Sequence, residues 1–223
     1  MTQLETEINE LKIEVGNMWS LVMSQLTKTR DSILLYDKDL AREVVLRERR
    51  VNAYELKIDR DCENIFALYC PVAIDLRFLL AALKINNNLE RVGDIAAGIA
   101  RYVVETHGPF DRNVTEPTQL LKMFDESIDV MNDAKIAFET EDTTLARTIF
   151  EKDEVLNTYN LAANKLLTSV IVKDINLAGD AMTVLSIIRK LERVGDQCTN
   201  IAEEIIFYIE AKVLKHLGPQ KQN

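Results

Sequence analysis

Glycine and proline are scarce in this chain of 223 residues, which contains seven and four of them respectively. Both are strong structural breaks, so their scarcity excludes a fold built of many short strands and turns. Residues 1–70 hold a single glycine, Gly16, and the 101 residues from 118 to 218 hold no proline. Histidine is rarer still, with only His107 and His216. Neither stands in ExxH or HExxH spacing, which removes a ferritin-like di-iron bundle and the zinc proteases. The same shortage rules out a Ser/His/Asp set, and no GxxxxGK[ST] or GxGxxG loop occurs. Three cysteines, Cys62, Cys70 and Cys198, form no CxxC pair, so neither a disulfide framework nor a thiolate zinc site is expected.

Positive charge is also short. The 27 Lys and Arg against 36 Asp and Glu leave a formal net charge of −9, whereas nucleic-acid binding requires a basic face. No apolar run approaches the ~20 residues of a membrane span. The opening MTQLETEINELK carries acids where a signal peptide needs positive charge and an apolar stretch. The expectation is a cytoplasmic protein without membrane insertion, with peripheral association at most, and without a nucleic-acid partner.

What the sequence does have is helical periodicity. Val44, Val51, Ile58 and Ile65 recur at sevens, and Ile85, Leu89, Val92, Ile99 and Val103 trace a second apolar arc. No segment alternates with the period of two that strands require. Breaks at 36–39, at Pro71, at 107–117, near 140–144 and around 174–180 divide the chain into six long helices. These are expected over 4–35, 40–69, 72–106, 118–139, 143–172 and 181–215, with Asp37 or Asp39 as an N-cap. The stretch HGPFDRNVTEP at 107–117 is the richest in turn residues and splits the chain nearly in half.

The halves repeat. LERVGD occurs at 89–94 and at 191–196, an offset of 102. In the preceding helix Leu40-Ala41-Arg42 matches Leu145-Ala146-Arg147 at an offset of 105. An identical hexapeptide in two halves of one chain points to an internal duplication. The expected architecture is all-α: two tandem three-helix bundles, over residues 1–107 and 117–217.

Within LERVGD, Glu90 and Asp94 share a helix face, as do Glu192 and Asp196. Gly93 and Gly195 stand beside them mid-helix, where glycine is about 1 kcal/mol worse than alanine. Such a repeated glycine implies that a neighbouring helix or an ion comes close to the backbone. One helix earlier, Glu48, Asn52, Glu55 and Asp59 fall on one face, and Asp153, Asn157, Asn160 and Asn164 are their counterparts. These are hard oxygen donors, suited to magnesium, manganese, calcium or iron. The plain alternative is a solvated face, with Arg91 and Arg193 in i,i+3 ion pairs to Asp94 and Asp196. Asp75-Leu76-Arg77 could cap and brace the third helix. Trp19 and Met18 belong to the core or to a dimer face.

The segments PVAIDLRFLLAALKINNNLERVGDIA, LERVGDQCTNIAEEI and DLAREVVLRERRVNAYELKID resemble those of the PhoU family of phosphate-transport accessory proteins. The resemblance runs over nearly the whole chain. It implies two spectrin-like three-helix bundles whose surface E(D)xxxD motifs bind clusters of iron or other divalent metal. Carried over residue by residue, the metal ligands would be Glu90 and Asp94, Glu192 and Asp196, with partner motifs Glu48 and Asn52, Asp153 and Asn157. Asn ends both partner motifs where the family has Asp, and an amide oxygen coordinates without charge. Iron, manganese, magnesium and zinc are all compatible identities. The resemblance further implies a homodimer that negatively controls phosphate uptake and the phosphate-starvation response. Its implied partners are a phosphate transporter and a sensor histidine kinase. Competing readings are a metal-dependent phosphohydrolase, for which no base beyond the carboxylates is evident, and a purely structural helical scaffold.

Overall fold

The computed structural model describes residues 2–214. Among them are seven α-helices, one 3-10 turn and no strand. They are α1 (Gln3–Leu35), α2 (Lys38–Tyr69), α3 (Ala73–Glu105), α4 (Arg112–Thr115), α5 (Leu120–Thr140), α6 (Thr143–Lys173) and α7 (Ala178–Glu210), with the 3-10 turn at Ile175–Leu177 just before α7. The six long helices match the expected ones, and α1–α3 and α5–α7 form the two bundles.

Local chemistry sets the helix starts. Thr2 and Glu5 make a reciprocal capping box at α1. Asp37 caps α2 by accepting from the backbone N–H groups of Asp39 and Leu40. Asp142 does the same at α6 for Thr144 and Leu145, so the cap is duplicated with the bundle. With glycine so scarce, Tyr36, Cys70, Glu141 and Ala211 take the left-handed conformation at helix C-caps.

Three differences from the sequence expectation have physical causes. The turn-rich 107–117 segment contains the short α4, begun by Asp111 accepting from Asn113 N–H. The last helix ends at Glu210 rather than 215: Tyr208 is its last buried side chain, Ala211 takes the left-handed C-cap conformation, and Ala211, Lys212 and Val213 are exposed. Position 215, His216 and the expected bundle end at 217 lie outside the described residues. Finally, α3 is N-capped by Val72 without a side-chain hydrogen bond, so Asp75 is no cap. Arg77 instead donates through Nε to the Tyr208 carbonyl in the last turn of α7.

That contact belongs to an extensive antiparallel seam between α3 and α7. Lys84 meets the buried Glu204 at 2.9 Å along it, and Lys190 lies over Gly98. Beside the seam, α1 packs on α5, where the Trp19 indole N–H donates to the Met131 carbonyl at 3.2 Å. Trp19, Phe138, Phe78 and Tyr208, one from each of α1, α5, α3 and α7, contact one another in that order with ring centroids 5.5–6.4 Å apart, the last pair edge to face. Trp19 is therefore a core residue joining the halves. One continuous apolar core runs through both bundles.

Candidate functional site

The acidic stripes lie in the groove between the second and third helix of each bundle, α2 with α3 and α6 with α7. Mid-helix glycine brings each pair together. A Cβ at Gly93 would sit 3.1 Å from Val51 Cγ1, and one at Gly195 would sit 2.8 Å from Leu156 Cδ1. Val51 and Leu156 are themselves repeat equivalents, so both bundles hold the same register. The glycines admit a neighbouring helix. In the second bundle Gly195 also admits a carboxylate, because a methyl group there would overlap Asp153 Oδ1.

In the first bundle Glu90 is half-buried and Asp94 exposed. The Glu90 carboxyl is pushed up to about 7, first by burial, then by the charges of Asp94 and Glu55. Glu55 is also raised, by burial and then by Asp59 and Asp94, with Asn87 opposing through a hydrogen bond. Asn86 ties α3 to α2 by donating to the Glu55 carbonyl at 3.0 Å and to Asp59 Oδ1 at 2.9 Å. Glu48 stands apart from this group. Its carboxylate is held by Arg101, two turns beyond Asp94 on α3. Asn52 is exposed. The side chain across from Glu90 is thus Glu55 rather than Glu48.

The second bundle is arranged differently. Asp153, the counterpart of Glu48, turns inward over Gly195 and is only 9% exposed. Its Oδ2 receives a long 3.5 Å hydrogen bond from Asn157, and its Oδ1 has no hydrogen-bond partner. The carboxyl is pushed up to about 6 by burial first, then by the charges of Asp196, Glu154 and Glu192. Glu192 is raised by burial and by Asp196, with Arg193 and an Asn160 hydrogen bond opposing. Asp196 is raised by burial, against the field of Arg193. Here Glu192, Asp196, Asp153, Asn157 and Asn160 converge on one stretch of groove.

Among the described residues, no three His, Cys, Asp or Glu side chains are grouped as a ready-made ion site. The donors nevertheless suit a hard cation. They are carboxylate and amide oxygens, several carboxylates are raised by burial and then by neighbouring acids, and a buried oxygen over Gly195 lacks a partner. Sequence reasoning did not single out Arg101 and Lys190, whose signal lies in the repeat itself. Arg101 aligns with Glu203, and Lys190 aligns with Asn88.

The fold and site together define an all-helical tandem-repeat protein with one acidic interhelical groove per repeat. The PhoU domain model matches residues 15–103 and again 120–205, and the chain belongs to the PhoU family. The phosphate-specific transport system accessory protein PhoU of Edwardsiella tarda is 30% identical over 216 residues, covering 97% of this chain and 88% of that protein. The phosphate-specific transport system accessory protein PhoU homolog 1 of Thermotoga maritima is also 30% identical, over 95% of this chain and 90% of its own. The crystal structure of PhoU from Pseudomonas aeruginosa superposes with a TM-score of 0.88 at 26% identity, covering 94% of this chain and all of that one.

Proposed function

We propose that this chain is a cytoplasmic regulatory adaptor that restrains phosphate uptake and phosphate-starvation signalling, with divalent metal or iron on its acidic grooves. On this reading it works as a homodimer and docks on a phosphate transporter and a sensor histidine kinase. The observation that carries the proposal is the family match across both repeats. The description of its relatives as accessory proteins of phosphate-specific transport supports the transport link and a role without turnover of its own.

The physical features agree with docking. No helix among the described residues is long and apolar enough to cross a membrane. Leu68, Val72, Ile74, Leu76 and Leu80 are exposed apolar side chains strung along the turn from α2 into α3, which is the kind of surface that partner proteins cover. Glu90, Asp94 and Glu55 would hold a cation in the first groove, and Asp153, Glu192, Asp196 and Asn157 in the second. A bound cation would supply charge neutralisation there, relieving repulsion among carboxylates crowded between two helices.

The test is affinity capture with the tagged chain from phosphate-replete cells. Recovery of transporter or histidine-kinase subunits is expected, and recovery of neither overturns the adaptor reading. Metal content of the purified chain, compared with a Glu90→Ala/Asp94→Ala and Glu192→Ala/Asp196→Ala variant, tests the cation assignment; equal content removes it. Turnover of phosphoesters or polyphosphate with Mn²⁺ would replace the adaptor by a phosphohydrolase.

A further inference from the structure

We infer that the two grooves are unequal: Lys190 and Arg101 act as built-in counter-ions for the first, and the second alone takes a divalent cation tightly. The inference rests on the metal reading above and specifies which repeat carries it out.

By acid count the first groove is the richer, with Glu48, Glu55, Asp59, Glu90 and Asp94 against Asp153, Glu192 and Asp196. The structure offsets that advantage with two cations of the chain itself. Along α3 the stripe reads Glu90, Asp94, Gly98, Arg101, each one helical turn from the last. The side-chain space at Gly98 is filled by Lys190 from the other repeat, whose Nζ lies 2.9 Å from where a Cβ would be. Gly98 is one turn from Asp94, so the ammonium stands beside the acids and next to Arg101; burial and the charges of Arg193 and Arg101 lower its pKa, with Asp94 opposing. The next position, Arg101, pairs with Glu48 and holds it away from Glu90 and Asp94. Asp59 in turn is engaged by Asn86. The groove's outlying donors are thus already committed to partners within the chain.

The equivalent stripe on α7 reads Glu192, Asp196, Asn200, Glu203, and none of the four is cationic. Asn200 stands where the first repeat has Gly98, so the gap that admits Lys190 there is closed here by a side chain. The residue that would reach across from α3 is Asn88, and its amide donates to the Lys84 carbonyl of its own helix at 2.8 Å. Arg193 flanks these acids as Arg91 flanks those of the first stripe, so the two arginines cancel in the comparison. With no guanidinium to draw it outward, Asp153 is more than nine-tenths buried over Gly195 with Oδ1 unpartnered. A buried carboxylate oxygen without a partner is costly. A cation placed between Asp153 and the acids of α7 relieves that deficit, whereas in the first groove it meets the positive charge of Lys190 one turn from Asp94 and an Arg101 already paired with Glu48.

The test is Mn²⁺ titration of the chelator-stripped chain, following free Mn²⁺ by electron paramagnetic resonance and checking folding by circular dichroism. One tight Mn²⁺ per chain is expected. Asp153→Asn weakens it at least ten-fold, and Glu90→Gln leaves it within two-fold. The double variant Lys190→Met/Arg101→Met gains a second tight ion. Two equal sites in the parent chain, or a tight site lost in Glu90→Gln and kept in Asp153→Asn, overturn the inequality while leaving metal binding intact. No Mn²⁺ bound by the parent chain sinks the metal reading itself, and this inference with it.

Discussion

The carboxylate of Asp153 rests directly on the backbone of Gly195, in the space that a methyl group would occupy. Alanine at 195 gains about 1 kcal/mol of intrinsic helix propensity but drives the carboxylate off its seat and crowds Leu156 Cδ1, 2.8 Å from the new Cβ. For Gly195→Ala we expect a stability change within about 1 kcal/mol, since Asp153 Oδ1 ends a side chain that can rotate outward. Gly93→Ala should cost somewhat more, because the β-branched Val51 and the buried Gln25 oppose it at 3.1 and 3.3 Å and Val51 has few rotamers to move into. Urea denaturation of both variants checks the ranking; a large loss at Gly195 alone would show that Asp153 cannot leave.

Crowded carboxylates also set a pH dependence. A carboxyl raised on folding binds more protons in the native state, so its contribution to stability is complete below its unfolded pKa and lost as pH climbs through its folded one. For Asp153 that window runs from 3.8 to about 6, and for Glu90 from 4.5 to about 7. Glu210, lowered to about 2 by its hydrogen bond with Lys212, acts in the opposite sense but only below its unfolded value of 4.5. The chelator-stripped chain should therefore melt a few degrees lower at pH 8 than at pH 5.5. Asp153→Asn should recover about 1 kcal/mol of that loss, because most of the Asp153 window lies below pH 5.5 and the remainder comes from Glu90. Melting curves across this range decide it; identical slopes in parent and variant would sink the assignment to Asp153.

The helices were legible because their signal is local: seven-residue apolar spacing, Asp37 ahead of α2, and few glycines or prolines to interrupt. The duplication was legible because LERVGD survives intact in both halves. The seating of individual acids was not. Glu48 and Asp153 occupy the same repeat position, yet one is drawn out to Arg101 and the other buried on Gly195. What separates them is the identity of positions 101 and 203 on a neighbouring helix, and the face pattern of α2 or α6 carries none of that. Arg77 shows the same limit, since its partner at Tyr208 lies across the seam between repeats.

The duplicated caps offer a test of how the bundles cooperate. Asp37 and Asp142 each accept two backbone N–H groups, at 2.9 Å for the first and at 2.8 and 3.0 Å for the second. Alanine at either should cost about 1 kcal/mol, and the double variant about 2, because the sites share no partners. With one core through both bundles, each single substitution should shift one common unfolding transition. A biphasic urea curve in which each variant moves only one phase would show bundles that unfold separately.

Trp19 reports on the joint between repeats most directly. Its ring is fully buried and lies 5.7 Å from Phe138 of the other bundle. Its indole N–H donates to the Met131 carbonyl, which also serves its own helix. Trp19→Phe removes the donor and part of the volume while leaving that carbonyl partnered, and should cost about 2 kcal/mol. Trp19→Ala leaves a cavity between α1 and α5 and should cost about 3–5 kcal/mol. Because this is the chain's single tryptophan, unfolding must be followed by far-ultraviolet circular dichroism. Both variants should keep the parent's m-value, as expected when one cooperative unit is weakened without changing what it exposes. A drop in m for Trp19→Ala would mean that the bundles had come apart before unfolding, and that this aromatic contact, more than the α3–α7 seam, holds them as one.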